Sequence, residues 1–333
     1  MDRPAENTDF LYPALDPFAA GRLPVGTRHV LHFEQCGNPG GFPALYLHGG
    51  PGSRTLPAHR RFFDPRFYRV VLFDQRGCGR STPPGGTEEN TTRHLVEDIE
   101  ALRRHLGVER MMLFGGSWGS TLALAYAAAH PQPVAGMVLR GIFLASRAEV
   151  DWYLDGLRRF VPQAWEASFD SAQDRLAQGE GGGGLLARYH ALVNRQDERE
   201  ALAAARRWVG YEEAVMGLGA PDGPAGTAAS EPAAVLARAR VQLHYLAHDC
   251  FLEPGELLSG LGRLAEAPAL IVQGRLDMLC PPRAAFELAR RLPRGQLRLV
   301  ERGGHSSFGP DMAQALRRAA DDMRARVEES PLR

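Results

Sequence analysis

One short segment constrains the fold more than any other part of the chain. Met111–Thr121 reads M-M-L-F-G-G-S-W-G-S-T, and the helix-prone run Leu122–Ala129 follows it. This order predicts a strand, a sharp turn and a helix, with Gly115, Ser117 and Gly119 in the G-x-S-x-G pattern that presents a serine nucleophile. Glycines are needed because the turn is crowded, and the helix N-terminus favours a developing negative charge. The alternative is a glycine-rich turn with an ordinary serine.

Strand-like and helix-like segments alternate on both sides of that turn. Before it, His29–Cys36 alternates as an edge strand does, whereas Ala44–Leu47 and Tyr68–Phe73 are continuous apolar runs typical of buried parallel strands. The remaining predicted elements are helix Thr92–Leu106, strands Val134–Leu139, Ala269–Val272 and Leu297–Val300, and helices Arg283–Leu292 and Asp311–Val327. The pattern predicts an α/β fold with a mostly parallel, doubly wound sheet, whose functional loops follow the carboxyl ends of the strands.

A long segment without strand-like runs interrupts this alternation. From about residue 145 to 254, large side chains recur at helical spacing, as in Val150–Phe160. Two glycine-rich segments within it, Gly179–Gly184 and Gly217–Ala234, are predicted to be flexible turns between helices. We therefore expect a discontinuous α/β domain, residues 1–144 with 255–333, and an all-helical cap domain, residues 145–254, over the strand ends.

Composition excludes several classes of function. The 333 residues include 39 Lys and Arg and 39 Asp and Glu, so the formal net charge is zero and neither nucleic acid nor an acidic membrane is indicated as a partner. No signal peptide or apolar run of about 18 residues is visible, which leads us to expect a cytoplasmic protein. The four cysteines are far apart, without metal-ligand spacing, and are expected to be free thiols rather than metal ligands: Cys36, Cys78, Cys250 and Cys280.

Two later loops supply the partners that a serine nucleophile requires. Serine is activated by a base within hydrogen-bond reach, and a third group orients that base. Asp277 follows the predicted strand Ala269–Val272, and His305 follows Leu297–Val300, so the order Ser117, Asp277, His305 matches the order that this kind of turn uses. Taken separately, Asp277 reads equally well as a turn residue and His305 as a surface histidine. Their joint order and placement favour a catalytic triad.

A glycine-rich loop after the strand Ala44–Leu47 supplies donors for an oxyanion. One donor is expected to be the backbone N–H of Trp118, the residue after the nucleophile, and the other that of Gly50 in His48-Gly-Gly-Pro-Gly52. His48 is expected to orient this loop through its ring nitrogens. A phosphate-cradling loop is the rival interpretation, but the G-x-x-x-x-G-K-[ST] pattern is missing.

Several motifs together resemble one known family. They are His48-Gly-Gly-Pro-Gly-Ser53, Asp74-Gln-Arg-Gly-Cys-Gly-Arg-Ser81, Gly115-Gly-Ser-Trp-Gly-Ser120, Leu139-Arg-Gly-Ile-Phe143 and Gly274-Arg-Leu-Asp277. G-x-S-x-G alone occurs in many hydrolases, but the combination resembles the proline iminopeptidase (prolyl aminopeptidase) family of the α/β-hydrolase fold. The resemblance spans nearly the whole chain and is weakest between about residues 178 and 234. It implies a serine exopeptidase that releases an N-terminal proline from a small peptide, without metal or cofactor.

The resemblance also implies a substrate site under the cap. In that family, acidic side chains of the cap hold the free ammonium of the substrate, and Glu212 lies where one is expected. A second is expected where this chain has Gln242, an amide that keeps an acceptor oxygen but loses the charge; Glu213 is the candidate to compensate. Phe143 matches a position that packs on the proline ring, or is an ordinary core residue. Arg76 and Arg80 are expected to brace loops.

Two other functions fit the same sequence. An esterase, amidase or lactonase would use the same triad on an uncharged acyl group, and Gln242 favours that alternative. A non-catalytic receptor or scaffold is opposed by the presence of all three triad residues. The sequence does not determine the oligomeric state.

Overall fold

Among the described residues, eight strands form one mixed sheet. The computed structural model describes residues 10–171, 173–174, 182–217, 231–264 and 267–328. The strands are β1 (Ala19–Val25), β2 (His29–Gly37), β3 (Phe42–Leu47), β4 (Tyr68–Asp74), β5 (Met111–Gly116), β6 (Val134–Arg140), β7 (Ala269–Gly274) and β8 (Gly295–Val300). Their order is β1-β2-β4-β3-β5-β6-β7-β8; the β1–β2 and β2–β4 pairs are antiparallel and the others parallel. The predicted mostly parallel sheet is confirmed.

Helices cover both faces of the sheet. The α-helices of the described residues are α1 (Thr92–His105), α2 (Trp118–Ala129), α3 (Arg147–Asp151), α4 (Pro162–Phe169), α5 (Gly182–Val193), α6 (Glu198–Met216), α7 (Pro232–Ala247), α8 (Glu256–Ser259), α9 (Pro282–Arg291) and α10 (Pro310–Glu328). Side chains alternate along each strand, so Leu45 and Val71 belong to one hydrophobic cluster with residues of α1, α2 and α9, whereas Ala44 and Val70 belong to a second cluster with residues of α10. Both faces of the parallel strands are therefore buried, which explains their continuous apolar runs.

The edge of the sheet differs from the prediction. His29–Cys36 was expected to be an edge strand, but β2 lies between β1 and β4, and the unpredicted β1 forms that edge. β1 reads A-A-G-R-L-P-V and alternates between partly buried and exposed residues. Gly21 and Pro24 are poor strand formers, and Pro is tolerated at an edge because it need not donate to a neighbouring strand. Because of Gly21 and Pro24, the segment has no recognisable strand pattern in the sequence.

The segment between β6 and β7 is helical in its described residues, as predicted, but less regular. Val150–Phe160 is not one helix: α3 ends at Asp151, and a π-helical turn (Trp152–Gly156) and a 3₁₀ turn (Leu157–Arg159) follow. Residues 179–181 and 218–230 of the two predicted flexible turns lie outside the described residues. The flanking ends, 182–184 and 232–234, are helical, so the prediction was wrong there; Pro232 suits a first helical turn, and packing overrides the low helix propensity of glycine.

Helix α7 rests on loops at the carboxyl ends of the strands. A Cβ added to Gly52, in the loop after β3, would lie 2.5 Å from the carbonyl oxygen of Arg238, and one added to Gly77, after β4, would lie 2.8 Å from Val241. Elsewhere in the helical segment, the indole of Trp152 donates to the carbonyl of Met278, after β7, at 2.8 Å. The segment therefore covers the edge where the predicted functional residues lie.

Two further sequence expectations concern thiols and membranes. All four cysteines are buried free thiols, as predicted. Within the described ranges, we find no helix with the length and apolar character that crossing a bilayer demands.

Candidate active site

Ser117 occupies the turn between β5 and α2 in a strained backbone conformation. Its φ of 57° and ψ of −126° are unusual for a residue other than glycine. Its N–H donates to the carbonyl of Arg140 at the end of β6, at 2.8 Å. Strain of this kind costs about 1–3 kcal/mol and persists only where the surrounding structure enforces it. The turn therefore has the form predicted from the sequence.

The glycines around Ser117 are required by close backbone contacts. A Cβ on Gly115 would lie 2.2 Å from the carbonyl oxygen of Gly119, and a Cβ on Gly119 would lie 2.1 Å from that of Leu47. Both clashes involve backbone atoms, which cannot rotate away as a side chain can. The two glycines thus allow α2 to pack directly against the end of β3, where the glycine-rich loop begins.

We predict that Gly119→Ala destabilises the protein by about 3 kcal/mol, because the methyl group overpacks the contact with Leu47. Gly210→Ala is the matched control, since Gly210 is also helical but a Cβ there meets nothing within 4 Å. That control should gain about 0.5–1 kcal/mol from helix propensity. Urea unfolding measures both free energies, and a Gly119→Ala protein as stable as the parent would contradict the argument.

Asp277 and His305 form a buried hydrogen-bonded pair. Asp277 follows β7 and His305 follows β8, and both are at least 97% buried. The Nδ1 atom of His305 lies 2.9 Å from Oδ1 and 2.8 Å from Oδ2 of Asp277. Because an ionised carboxylate only accepts, Nδ1 carries the proton and Nε2 is left with a free lone pair. The imidazole is therefore held in the tautomer that a general base requires.

Further contacts fix the Asp277 carboxylate. The backbone N–H of Cys280 donates to Oδ1 at 2.8 Å, and the Nε2 amide group of Gln273 lies 3.3 Å from Oδ2. Gln273 also accepts from the N–H of Ile142 at 3.1 Å, which connects the Asp277 loop to the loop after β6. Gln273 was not identified from the sequence; its place at the end of a buried strand, four residues before Asp277, was the available signal.

Several contacts bring Ser117 to this pair. Burial raises the pKa of the Cys280 thiol well above its usual range, and a hydrogen bond with the side chain of Ser117 acts in the opposite direction. Cys280 thus lies against both Ser117 and Asp277. Arg140, whose carbonyl receives the Ser117 N–H, donates through its guanidinium to the carbonyl of His305 at 2.6 Å. The structure therefore gathers all three predicted triad residues at one edge of the sheet.

The glycine-rich loop lies beside Ser117. A Cβ on Gly49 would lie 3.4 Å from that of Ser117. In the described part of the chain, neither the Gly50 N–H nor the Trp118 N–H donates to another residue. Both amides are therefore available to a ligand.

The His48 ring positions that loop, as predicted. Its Nε2 accepts the N–H of Gln75 at 3.0 Å, so Nδ1 is the protonated nitrogen and donates to the carbonyl of Gly49 at 2.9 Å. The Gln75 side chain donates to the carbonyl of His48 and accepts the Trp118 indole N–H, both at 2.9 Å. Gln75 therefore joins the glycine-rich loop to the residue after the nucleophile, a role that the sequence did not reveal.

Arg76 and Arg80 brace loops, as predicted. Arg76 forms a bidentate pair with Asp98 of α1 at 2.6 and 2.7 Å. Arg80 contacts Asp74 and Glu34, each at 3.0 Å. These contacts hold the loop after β4, on which part of α7 rests.

The candidate substrate residues of the cap contact one another. Glu212 accepts from Arg238 at 2.8 Å through Oε2 and from Gln242 at 3.1 Å through Oε1. The Trp208 indole donates to the amide oxygen of Gln242 at 2.7 Å. Because an indole N–H only donates, the Gln242 oxygen faces Trp208 and its NH₂ faces Glu212. A role of Gln242 in holding the substrate ammonium stays a prediction.

Arg238 was missed by the sequence analysis. It also lies 3.5 Å from Glu213, so it contacts both candidate carboxylates. The available signal was its position on α7, one helical turn before Gln242 and on the same face.

Phe143 follows β6, on the segment that leads to α3. It is partly buried, and Thr121 of α2 donates to its carbonyl at 2.6 Å. Tyr153 is buried, and no described residue is a hydrogen-bond partner of its hydroxyl. Burial raises the pKa of that hydroxyl well above its usual range, and the nearby charge of Glu212 adds to the effect. Tyr153 therefore places an aromatic ring next to the charged groups of the cap.

Comparisons with known proteins identify the family of the chain. A family model for the alpha/beta hydrolase fold matches residues 43–311. The chain is 45% identical over 313 residues to the proline iminopeptidase of Xanthomonas citri, covering 93% of this chain and 98% of that protein. It is 42% identical over 321 residues to the proline iminopeptidase of Arabidopsis thaliana, covering 96% of this chain and 83% of that protein. A proline iminopeptidase-related protein from Thermus thermophilus, whose structure is solved, is 25% identical in sequence with a TM-score of 0.59. The match covers 93% of this chain and 98% of that one.

The fold, the serine at the turn between β5 and α2, and the family match define a hydrolase of the α/β-hydrolase fold. The fold class expected from the sequence is thereby confirmed. Within that class, the chain belongs to the proline iminopeptidase family, as its identity to the two relatives over nearly their whole length shows.

Proposed function

We propose that this protein is a serine exopeptidase that releases an N-terminal proline from small peptides. The observation that carries the proposal is the buried Asp277–His305 pair beside the strained Ser117, in a chain 45% identical to a proline iminopeptidase. The discontinuous domain 1–144 with 255–333 would supply the reacting groups. The cap domain 145–254 would supply the groups that recognise the N-terminus.

The reaction would proceed in two acyl-transfer steps. His305 accepts the Ser117 proton through Nε2 as the Ser117 oxygen attacks the prolyl carbonyl, and the N–H groups of Gly50 and Trp118 stabilise the tetrahedral oxyanion. His305 then protonates the leaving amine as the peptide bond breaks. Water attacks the resulting prolyl ester with His305 again as the base, which releases proline and restores Ser117. Asp277 stabilises the imidazolium that forms in each step.

The cap would bind the free N-terminus. In this proposal Glu212 and Glu213 attract the substrate ammonium, and Phe143 packs against the pyrrolidine ring. Gln242 holds Glu212 in place through its NH₂ group, at 3.1 Å, and does not contact the ammonium itself.

A prolyl arylamide with a free N-terminus tests this function against its N-acetyl form. We expect acetylation to lower kcat/KM by about 100-fold or more, chiefly because the acetyl group adds bulk under the cap where the N-terminus must lie, and in smaller part because it removes the ammonium that Glu212 and Glu213 attract. Release of the arylamine gives both rates. Equal rates for the two substrates would contradict an aminopeptidase.

One observation favours a second function, an esterase, amidase or lactonase acting on an uncharged acyl group. Glu212 already has a cationic partner in Arg238 at 2.8 Å. A protein of this kind would hydrolyse short acyl esters while leaving the free prolyl arylamide intact.

A further inference from the structure

Helices α6 and α7 bring a charged cluster together inside the cap, formed by Glu212, Glu213, Arg238 and Gln242. Arg238 lies 2.8 Å from Glu212 and 3.5 Å from Glu213, and Gln242 lies 3.1 Å from Glu212. Each oxygen of the Glu212 carboxylate therefore already accepts a hydrogen bond from α7. A guanidinium carries its charge at every pH that a protein tolerates, so the positive charge of Arg238 is always present beside Glu212.

The cluster is buried, which strengthens its electrostatic effect. Glu212 is 6% exposed, and the Arg238 side chain is 19% exposed. Charges out of contact with water interact through a lower dielectric and are poorly screened by salt. A second cation that approached Glu212 would meet the repulsion of Arg238 as well as the attraction of the carboxylates.

The cluster lies next to the glycine-rich loop of the active site. The carbonyl oxygen of Arg238 lies 2.5 Å from the position that a Cβ on Gly52 would occupy, and Gly52 is two residues after Gly50. The ring of Tyr245, on the next turns of α7, lies 4.8 Å from that of Trp118. The buried hydroxyl of Tyr153 is close enough to Glu212 for the carboxylate to affect it electrostatically. The helix that carries Arg238 and Gln242 therefore packs against both segments that are expected to supply the oxyanion donors.

We propose that Arg238 is a specificity-determining residue: it partly neutralises Glu212 and weakens recognition of the substrate ammonium, so that the site also accepts uncharged ring analogues of proline. The proposal rests on the proposed function and refines its substrate class. Two carboxylates and one guanidinium leave a single net negative charge in the cluster. Discrimination between a prolyl group and the isosteric cyclopentanecarbonyl group should accordingly be small.

The test compares two arylamide substrates, prolyl and cyclopentanecarbonyl, which differ in the ring nitrogen and its charge. At pH 6.5 the prolyl substrate is mostly cationic, because the pKa of an α-amino group is ~8. Arg238→Met should raise the ratio of kcat/KM for the prolyl over the uncharged substrate by about ten-fold, the scale of one charge-assisted hydrogen bond. Arg238→Lys keeps the charge and should leave the ratio within about three-fold of the parent value.

Arg206→Met is the matched control, because Arg206 is an exposed arginine on α6 and its loss changes the net charge equally. Its ratio should equal that of the parent. Labelling of Ser117 by a fluorophosphonate shows that each variant retains an assembled active site. A ratio that stays constant or falls in Arg238→Met would overturn the proposal.

Gln242→Glu keeps the proposal testable if Arg238→Met does not fold. It retains Arg238 and adds a carboxylate beside it, so the ratio should again rise by about ten-fold; an unchanged ratio would contradict the proposal. Failure of the proposed function is distinguishable. If the proposed function fails, the parent protein hydrolyses the cyclopentanecarbonyl substrate and leaves the prolyl substrate intact. The variants then still test the role of Arg238: a gain of prolyl activity supports the proposal, and no gain contradicts it.

Discussion

Ser117→Ala is expected to lower kcat on a prolyl arylamide by about 10⁶-fold, the scale seen when a serine hydrolase loses its nucleophile. The substitution removes the hydroxyl oxygen that is proposed to attack the carbonyl, whereas the donors of Gly50 and Trp118 remain. Residual turnover should therefore reflect the binding and oxyanion groups alone. Arylamine release under conditions of excess enzyme measures a rate this low.

The fold should survive this substitution, which makes the activity loss interpretable. The Ser117 backbone contact with Arg140 is retained by alanine, and alanine has the same backbone strain at a φ of 57°. Ser259→Ala, at an exposed helical serine, is the matched control and should keep full activity. Fluorophosphonate should label the parent and the control but not Ser117→Ala. Activity above about 1% of the parent in Ser117→Ala would exclude Ser117 as the nucleophile.

The sequence predicted the sheet where local pattern and burial agree. β4, β5 and β7 are continuous apolar runs because both of their faces are covered, and that pattern depends on no other segment. β1 was missed because an exposed edge strand has no such run. Val150–Phe160 has helical spacing in the sequence, but the Trp152 ring packs on Gly156, where an added Cβ would lie 2.4 Å from it. A contact of this kind has no counterpart in the spacing of apolar residues.

The same distinction between local pattern and distant contacts separates the site residues that the sequence predicted from those that it missed. Ser117, Asp277 and His305 each follow a strand that the sequence reveals, so topology alone places them at one edge. Gln75 and Arg238 act through partners distant in the chain: Gln75 contacts Trp118, and Arg238 contacts Glu212. In the sequence, Arg238 has the form of a solvent-facing arginine on a helix. Only the packing of α6 against α7 shows that it is paired and mostly buried.

Asp277→Asn is expected to lower kcat by about 10⁴-fold, because the amide forces His305 into the wrong tautomer. The N–H of Cys280 donates to Oδ1 at 2.8 Å, so the amide oxygen of asparagine must take that position. Its NH₂ group then takes the position of Oδ2, 2.8 Å from Nδ1 of His305. An NH₂ group at the nearer of the two positions favours the tautomer in which Nδ1 accepts and the imidazole proton lies on Nε2, which removes the base that Ser117 needs.

The Gln273 amide group adds to this effect, since it lies 3.3 Å from Oδ2 and would then face another donor. KM should change little, because the Asp277 carboxylate is hydrogen-bonded to His305, Cys280 and Gln273, none of which is proposed to bind the substrate. Asp311→Asn, at the start of α10, makes the same chemical change in an exposed ion pair and should leave kcat unaltered. Steady-state kinetics on the prolyl arylamide give both constants. An Asp277→Asn protein within ten-fold of the parent kcat would show that the orientation of His305 does not depend on this carboxylate.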